Sequence, residues 1–77
     1  MIAFIKLTGP DENYLLNVNN IIAIEDVKSV QGEYGDWVNT VLTVDEKGRT
    51  SQYMCQETVD EVEIKLNSLN NDKIRVI

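Results

Sequence analysis

Histidine is absent from this 77-residue sequence, and cysteine and proline each occur once. Without histidine there is no imidazole general base, no Cys/His nucleophile pair and no histidine-containing zinc site. The lone Cys55 cannot close an internal disulfide. Small secreted domains usually depend on several such links, so the compartment expected is a reducing, cytoplasmic one. Cations are also scarce, with seven Lys and Arg against thirteen Asp and Glu and a net charge of -6. A polyanion is bound by neutralising its phosphates, so this average field disfavours nucleic acid as a partner. Lys6, Lys28, Lys47, Arg49, Lys65, Lys73 and Arg75 are scattered and form no basic run. Long apolar runs are missing as well. The longest, residues 1–5, stops at Lys6, well short of a secretory or bilayer-spanning segment, and no membrane partner is expected.

What is present is the composition of a folded protein, 43% hydrophobic and 26% charged, rather than the charge-rich, apolar-poor mixture of disordered chains. The length lies near the lower limit at which a chain buries a core unaided, which implies a single small domain over residues 1–77. The acidity then serves solubility.

Alternation divides the chain into strands. Residues 2–8 place Ala3, Ile5 and Leu7 on one face and Ile2, Phe4, Lys6 and Thr8 on the other. Gly9-Pro10-Asp11-Glu12 is a turn, followed by a short strand at residues 14–18. Asn17, Asn19 and Asn20 suit a tight reversal into a third strand, residues 21–30, and Gly32 and Gly35 mark residues 31–36 as a loop. A Val- and Thr-rich fourth strand covers residues 37–44. Asp45-Glu46-Lys47-Gly48 closes a hairpin, read as a type I turn with a glycine-led bulge, into a fifth strand at residues 49–55.

Thr58-Val59-Asp60-Glu61 fits a capping box, and a helix to about residue 69 presents Val59, Val62, Leu66 and Leu69 as one stripe. Asn70-Asn71-Asp72 supplies a stop, and residues 73–77 alternate as a possible final edge strand. The expectation is therefore an α+β fold in which one antiparallel sheet of about five strands carries one C-terminal helix on one face.

Few side chains invite chemistry. Cys55 has no base beside it in the sequence and reads as a small apolar strand residue. Asp45-Glu46-Lys47-Gly48 lacks the alternating ligands of a calcium loop, and Gly32-Glu33-Tyr34-Gly35 lacks the spacing of a phosphate cradle. Glu57, Asp60, Glu61 and Glu63 read as the wet face of the helix. No catalytic residue, metal ligand, cofactor site or small-molecule ligand is evident. Tyr34 and Trp37 form either an aromatic contact surface beside the loop or part of the hairpin packing, and Ile64 lies opposite the apolar stripe.

The ordered pieces are Ile5-Lys6-Leu7-Thr8, Leu16-Asn17 before Ile21 and Ile24-Glu25, Thr40-Val41-Leu42-Thr43-Val44, Gly48, Tyr53, Glu57-Thr58-Val59 and Glu61-Val62. Together they resemble a small bacterial flagellar and swarming-motility protein family, short chains of strands followed by one helix. The resemblance spans residues 5–66 and brings no catalytic residue with it. Its departures are the longer connection at residues 31–37 and the end at residues 74–77. A weaker likeness, to the strand-rich DNA-binding domain of some response regulators, rests on the same hairpin-then-helix order.

The function expected is a non-enzymatic protein-interaction or small regulatory module that associates with itself, most simply as a homodimer. The alternative is a transcriptional or nucleic-acid-associated regulator, which would gather Lys6, Lys28, Lys47 and Arg49 on one surface. An enzyme would need a deep pocket with two carboxylates of raised pKa. The dimer follows from counting faces: one short helix covers one side of one sheet and leaves the other bare. Ile2, Phe4, Tyr34, Trp37 and Ile64 are the candidate interface residues.

Overall fold

The computed structural model describes residues 3–32, 35, 37–69 and 75–77. Its first strand, β1 (Ala3–Thr8), pairs antiparallel with β2 (Asn13–Asn17), setting Ile5 opposite Leu16 and Leu7 opposite Tyr14. The intervening turn closes through the Gly9 N–H, which donates to the Glu12 carbonyl at 2.8 Å. Tyr14 folds so closely over this turn that a Cβ on residue 9 would lie 2.5 Å from its ring, so only glycine fits. The Asn17 side chain then accepts the Asn19 N–H at 3.0 Å and caps a single 3-10 turn, Val18–Asn20.

That turn redirects the chain. Strand β3 (Ile21–Gln31) pairs with β4 (Trp37–Glu46) and not with β2, and β4 pairs in turn with β5 (Arg49–Cys55). The expected single sheet is thus two, ordered β3-β4-β5 and β2-β1-β6, where β6 is the short strand Arg75–Val76. The sheets are not wholly antiparallel either, since β6 runs parallel to β1. A helix intervenes before β6, and a connection of that length can return a strand in the parallel sense. Lys73 and Ile74, also expected in this strand, fall outside the described residues, as do Asn70, Asn71 and Asp72 of the expected helix stop.

The β4–β5 hairpin differs from expectation in its turn. Glu46 and Arg49 face each other directly across Lys47 and Gly48, whose φ values are 53° and 83°, and no bulge follows. Two successive positive φ values give a turn whose twist matches the strands it joins.

The two sheets share one core. Ile5, Leu7 and Leu16 from the first meet Leu42, Val44 and Cys55 from the second, and α1 (Val59–Asn67) adds Val62. The alternation read from the sequence is kept on β4, where Val38, Thr40, Leu42 and Val44 are buried. Leu66 on the helix joins Val62 against the core, as does Leu69, which lies past the helix end at Asn67 rather than within the helix expected to reach it. Because each sheet's inner face covers the other's, counting faces no longer calls for a second subunit. Among the described residues no helix is long and apolar enough to cross a membrane.

The helix starts at a corner that ties the sheets together. The Thr58 hydroxyl accepts the Glu61 N–H at 3.1 Å while the Glu61 carboxylate accepts the Thr58 N–H at 3.0 Å, the reciprocal capping box. Just before it, the Glu57 carboxylate accepts the Thr8 N–H at 2.9 Å and the Thr8 hydroxyl at 3.1 Å. The Gln56 N–H donates to the Thr8 carbonyl at 2.9 Å, and the buried Thr40 hydroxyl donates to the Glu57 carbonyl at 2.7 Å. Residues 56–58 therefore fasten β1, β4 and α1 at one point.

Leu42→Ala should cost about 2 to 5 kcal/mol, since it opens a cavity where both sheets meet. Ile64→Ala, at a position 65% exposed, should change stability by less than about 0.5 kcal/mol. Denaturant unfolding of the two variants checks the packing, and similar losses would show that α1 presents another face.

Candidate interaction site

Burial stops abruptly at β4. Ile24 faces Leu42 and Val30 faces Val38 across the β3–β4 ladder, yet both β4 partners are buried while no residue of β3 is. Ile22, Ile24 and Val30 are 59%, 37% and 50% exposed. The shared core lies over β4 and β5, and β3, at the rim of its sheet, extends past it. An edge strand carries a free row of backbone donors and acceptors. Here that row is accompanied by apolar side chains.

The same strand has an irregularity. Asp26 faces Thr40 and Val30 faces Val38, an advance of four residues on β3 against two on β4. Two residues are therefore extra. Lys28 and Ser29 each have a φ of 58°, a left-handed conformation that costs a residue with a Cβ about 1–2 kcal/mol. Local bonds hold them there. The Lys28 N–H donates to Asp26 Oδ1 at 2.8 Å, and the Ser29 hydroxyl donates to Asn39 Oδ1. Asn39 Nδ2 in turn donates to the Gln56 carbonyl at 2.6 Å, which ties the bulge to the corner before α1. Between bulge and helix lies an open concavity of about 260 Å³ lined by Asp26, Lys28, Asn39, Thr58 and Asp60 among others. Its walls carry both charges, and the Thr58 and Asn39 side chains are committed to bonds within the protein.

The described candidate interface residues, Phe4, Trp37 and Ile64, lie on three different elements. Phe4 is half-buried and shares the outer face of the first sheet with Lys6 and Leu15. Trp37, 57% exposed, begins β4 opposite Gln31, and Ile64 stands on the solvent side of α1. Ile2 and Tyr34 lie outside the described residues. The exposed apolar residues of β3 that sequence reasoning missed are Ile22, Ile24 and Val30, because a β-branched run reads as a buried strand. Glu25, Asp26 and Lys28 within the same strand were the available sign of an edge. Three of the cations named for a nucleic-acid surface lie on one sheet. Lys47 and Arg49 flank the hairpin tip, whereas Lys28 lies between the Asp26–Thr40 and Val30–Val38 pairs, near the other end of β4.

Cys55 is wholly buried, and burial foremost, with the nearby Glu57 charge, pushes its thiol up to about 11. Such a thiol is almost entirely protonated at neutral pH and is a poor nucleophile. Tyr53 and Glu46 form a surface pair, the phenol donating at 2.5 Å, and that hydrogen bond lowers the carboxyl pKa and raises that of the phenol. Tyr14 packs edge-on against Tyr53 with ring centroids 4.9 Å apart, and its own pKa is raised mainly by burial. Among the described residues no group of three or more Cys, Asp or Glu is placed to hold a metal ion.

No family model, curated protein or solved structure matches this chain.

Lys28→Gly should leave stability level or raise it by up to about 1 kcal/mol, because glycine enters the left-handed region freely. Lys28→Val should lower it by at least about 1 kcal/mol, because a β-branched residue is strained there. Equal denaturation midpoints for the two would show that the bulge does not depend on its backbone conformation. Cys55 should resist iodoacetamide at pH 8 until denaturant is added, as read by intact mass. Linkage adds a pH dependence: an unfolded thiol ionises near 9.0 but the folded one near 11, so this contribution is fully present below pH 9.0 and lost as pH rises towards 11.

Proposed function

We propose that this domain is a small non-enzymatic protein-interaction module, regulatory in use, that associates with a second copy of itself along β3. The observation that supports the reading is an eleven-residue edge strand with no buried residue and three exposed large apolar side chains. Ordinary edge strands are kept short, charged or covered. Here residues 21–26 form a regular stretch ahead of the bulge, apart from a slip at Ile22, and antiparallel pairing of two such stretches places the same patch on both copies. Ile22 and Ile24 lose water contact on pairing, and the backbone groups of the edge find partners. Phe4 and Ile64 take no part in this interface. The resemblance to small flagellar and swarming-motility proteins adds no residue to it.

Sedimentation equilibrium at micromolar concentrations should give a mass approaching twice the 8.8 kDa of one chain. Ile22→Asp should return the protein to a single chain with its unfolding transition unchanged. Each copy carries a net charge of -6, so association should strengthen as salt screens their repulsion. A concentration-independent 8.8 kDa species for the parent would overturn the proposal.

A further inference from the structure

The left-handed pair in β3 has a second consequence, which rests on the reading of that strand as an open association edge. Upstream of it, Glu25 faces Val41 and Asp26 faces Thr40, and both pairs keep one antiparallel register. Downstream, Val30–Val38 and Gln31–Trp37 keep another, displaced by two residues. Removing Lys28 and Ser29 would therefore join the halves in a single register without moving any side chain to the other face, since a shift of two preserves the alternation. The strand would carry nine residues, the eleven of β3 less two, and would keep one register from Ala23 onwards, the slip at Ile22 remaining. Ile24 and Val30 would then lie on one continuous exposed edge.

We propose that the Lys28–Ser29 bulge is an edge guard that confines intermolecular pairing to residues 21–26 and prevents β3 from templating open-ended sheet growth. A bulge interrupts the ladder of donors and acceptors on its own strand, and a charged side chain at an edge opposes docking of another strand. Lys28 provides both, being exposed and left-handed. The device is held in place from outside the strand, because Ser29 bonds Asn39 and Asn39 bonds the Gln56 carbonyl. Its need is set by the other rim of the same sheet. β5 is an edge as well, so an unguarded β3 on one copy can meet β5 of the next in a head-to-tail contact, which grows open-ended unless its rotation closes a ring.

The test is deletion of Lys28 and Ser29 together, read by sedimentation velocity and thioflavin fluorescence, with circular dichroism to establish that the chain folds. The expected result is assemblies several-fold or more larger than those of the parent, with raised thioflavin fluorescence. The double variant Lys28→Gly, Ser29→Gly retains the two extra residues but lacks the Lys28 charge and the Ser29 bond, and should form assemblies larger than the parent's and smaller than those of the deletion. If the deletion fails to fold, Lys28→Thr with Ser29→Val decides instead, because these residues drive the pair towards extended backbone, and the same increase in size is expected. A folded deletion or Thr/Val variant that sediments like the parent overturns the guard. The parent's own mass is a separate readout: a monomeric parent whose deletion variant assembles would refute self-association in the native chain and uphold the guard.

Discussion

The arrangement depends on the corner at residues 56–58. A chain this short has little apolar area with which to hold two three-stranded sheets together, since small domains hide the least surface on folding. The corner supplies fixed points. Glu57 grips the end of β1 through the Thr8 N–H and hydroxyl, its carbonyl receives the Thr40 hydroxyl from inside β4, and the next residue opens the helix. Hydrogen bonds to an ionised carboxylate are stronger than neutral ones, and these join parts of the chain 49 residues apart. Val62, one turn into the helix, is thereby delivered to the core where the sheets meet.

The same corner reaches the most exposed strand. Gln56 accepts from Asn39, and Asn39 accepts from Ser29, so the bulge in β3 is linked to the start of α1 by side chains rather than by packing. This matters because β3 has no fully buried residue and touches the core only at its start, where Ile21 packs against it. Beyond Ile21 its position relies on the ladder to β4 and on that link. A strand so placed is free to present apolar groups to another chain, and the left-handed residues limit how much of it can do so.

Chemistry within the chain is muted by burial and by internal commitment. The one thiol lies in the core with its pKa pushed up to about 11. Among the described residues, every buried side-chain nitrogen or oxygen has a partner. The polar groups around the concavity beside α1 include an N-cap and a bulge anchor, so they hold structure rather than stand ready for a ligand.

Local patterns that answer to near neighbours were legible in the amino-acid order. The alternation of Ala3, Ile5 and Leu7, the Val38 to Val44 row, the capping box at Thr58 and the stripe through Val62 and Leu66 are each satisfied within a few residues, and each is found as read. Even the hairpin at Lys47-Gly48 was placed, though its turn is a two-residue one with both φ values positive. Tertiary structure alone decided that the strands divide into two sheets, because a 3-10 turn capped by Asn17 sends β3 to β4 and β2 to β1, and residue types do not state which strands pair. It also decided that Ile22, Ile24 and Val30 of β3 stay in water while the β4 partners of Ile24 and Val30 are buried. Alternation tells which side chains share a face, but only the position of the opposing sheet determines whether that face is covered.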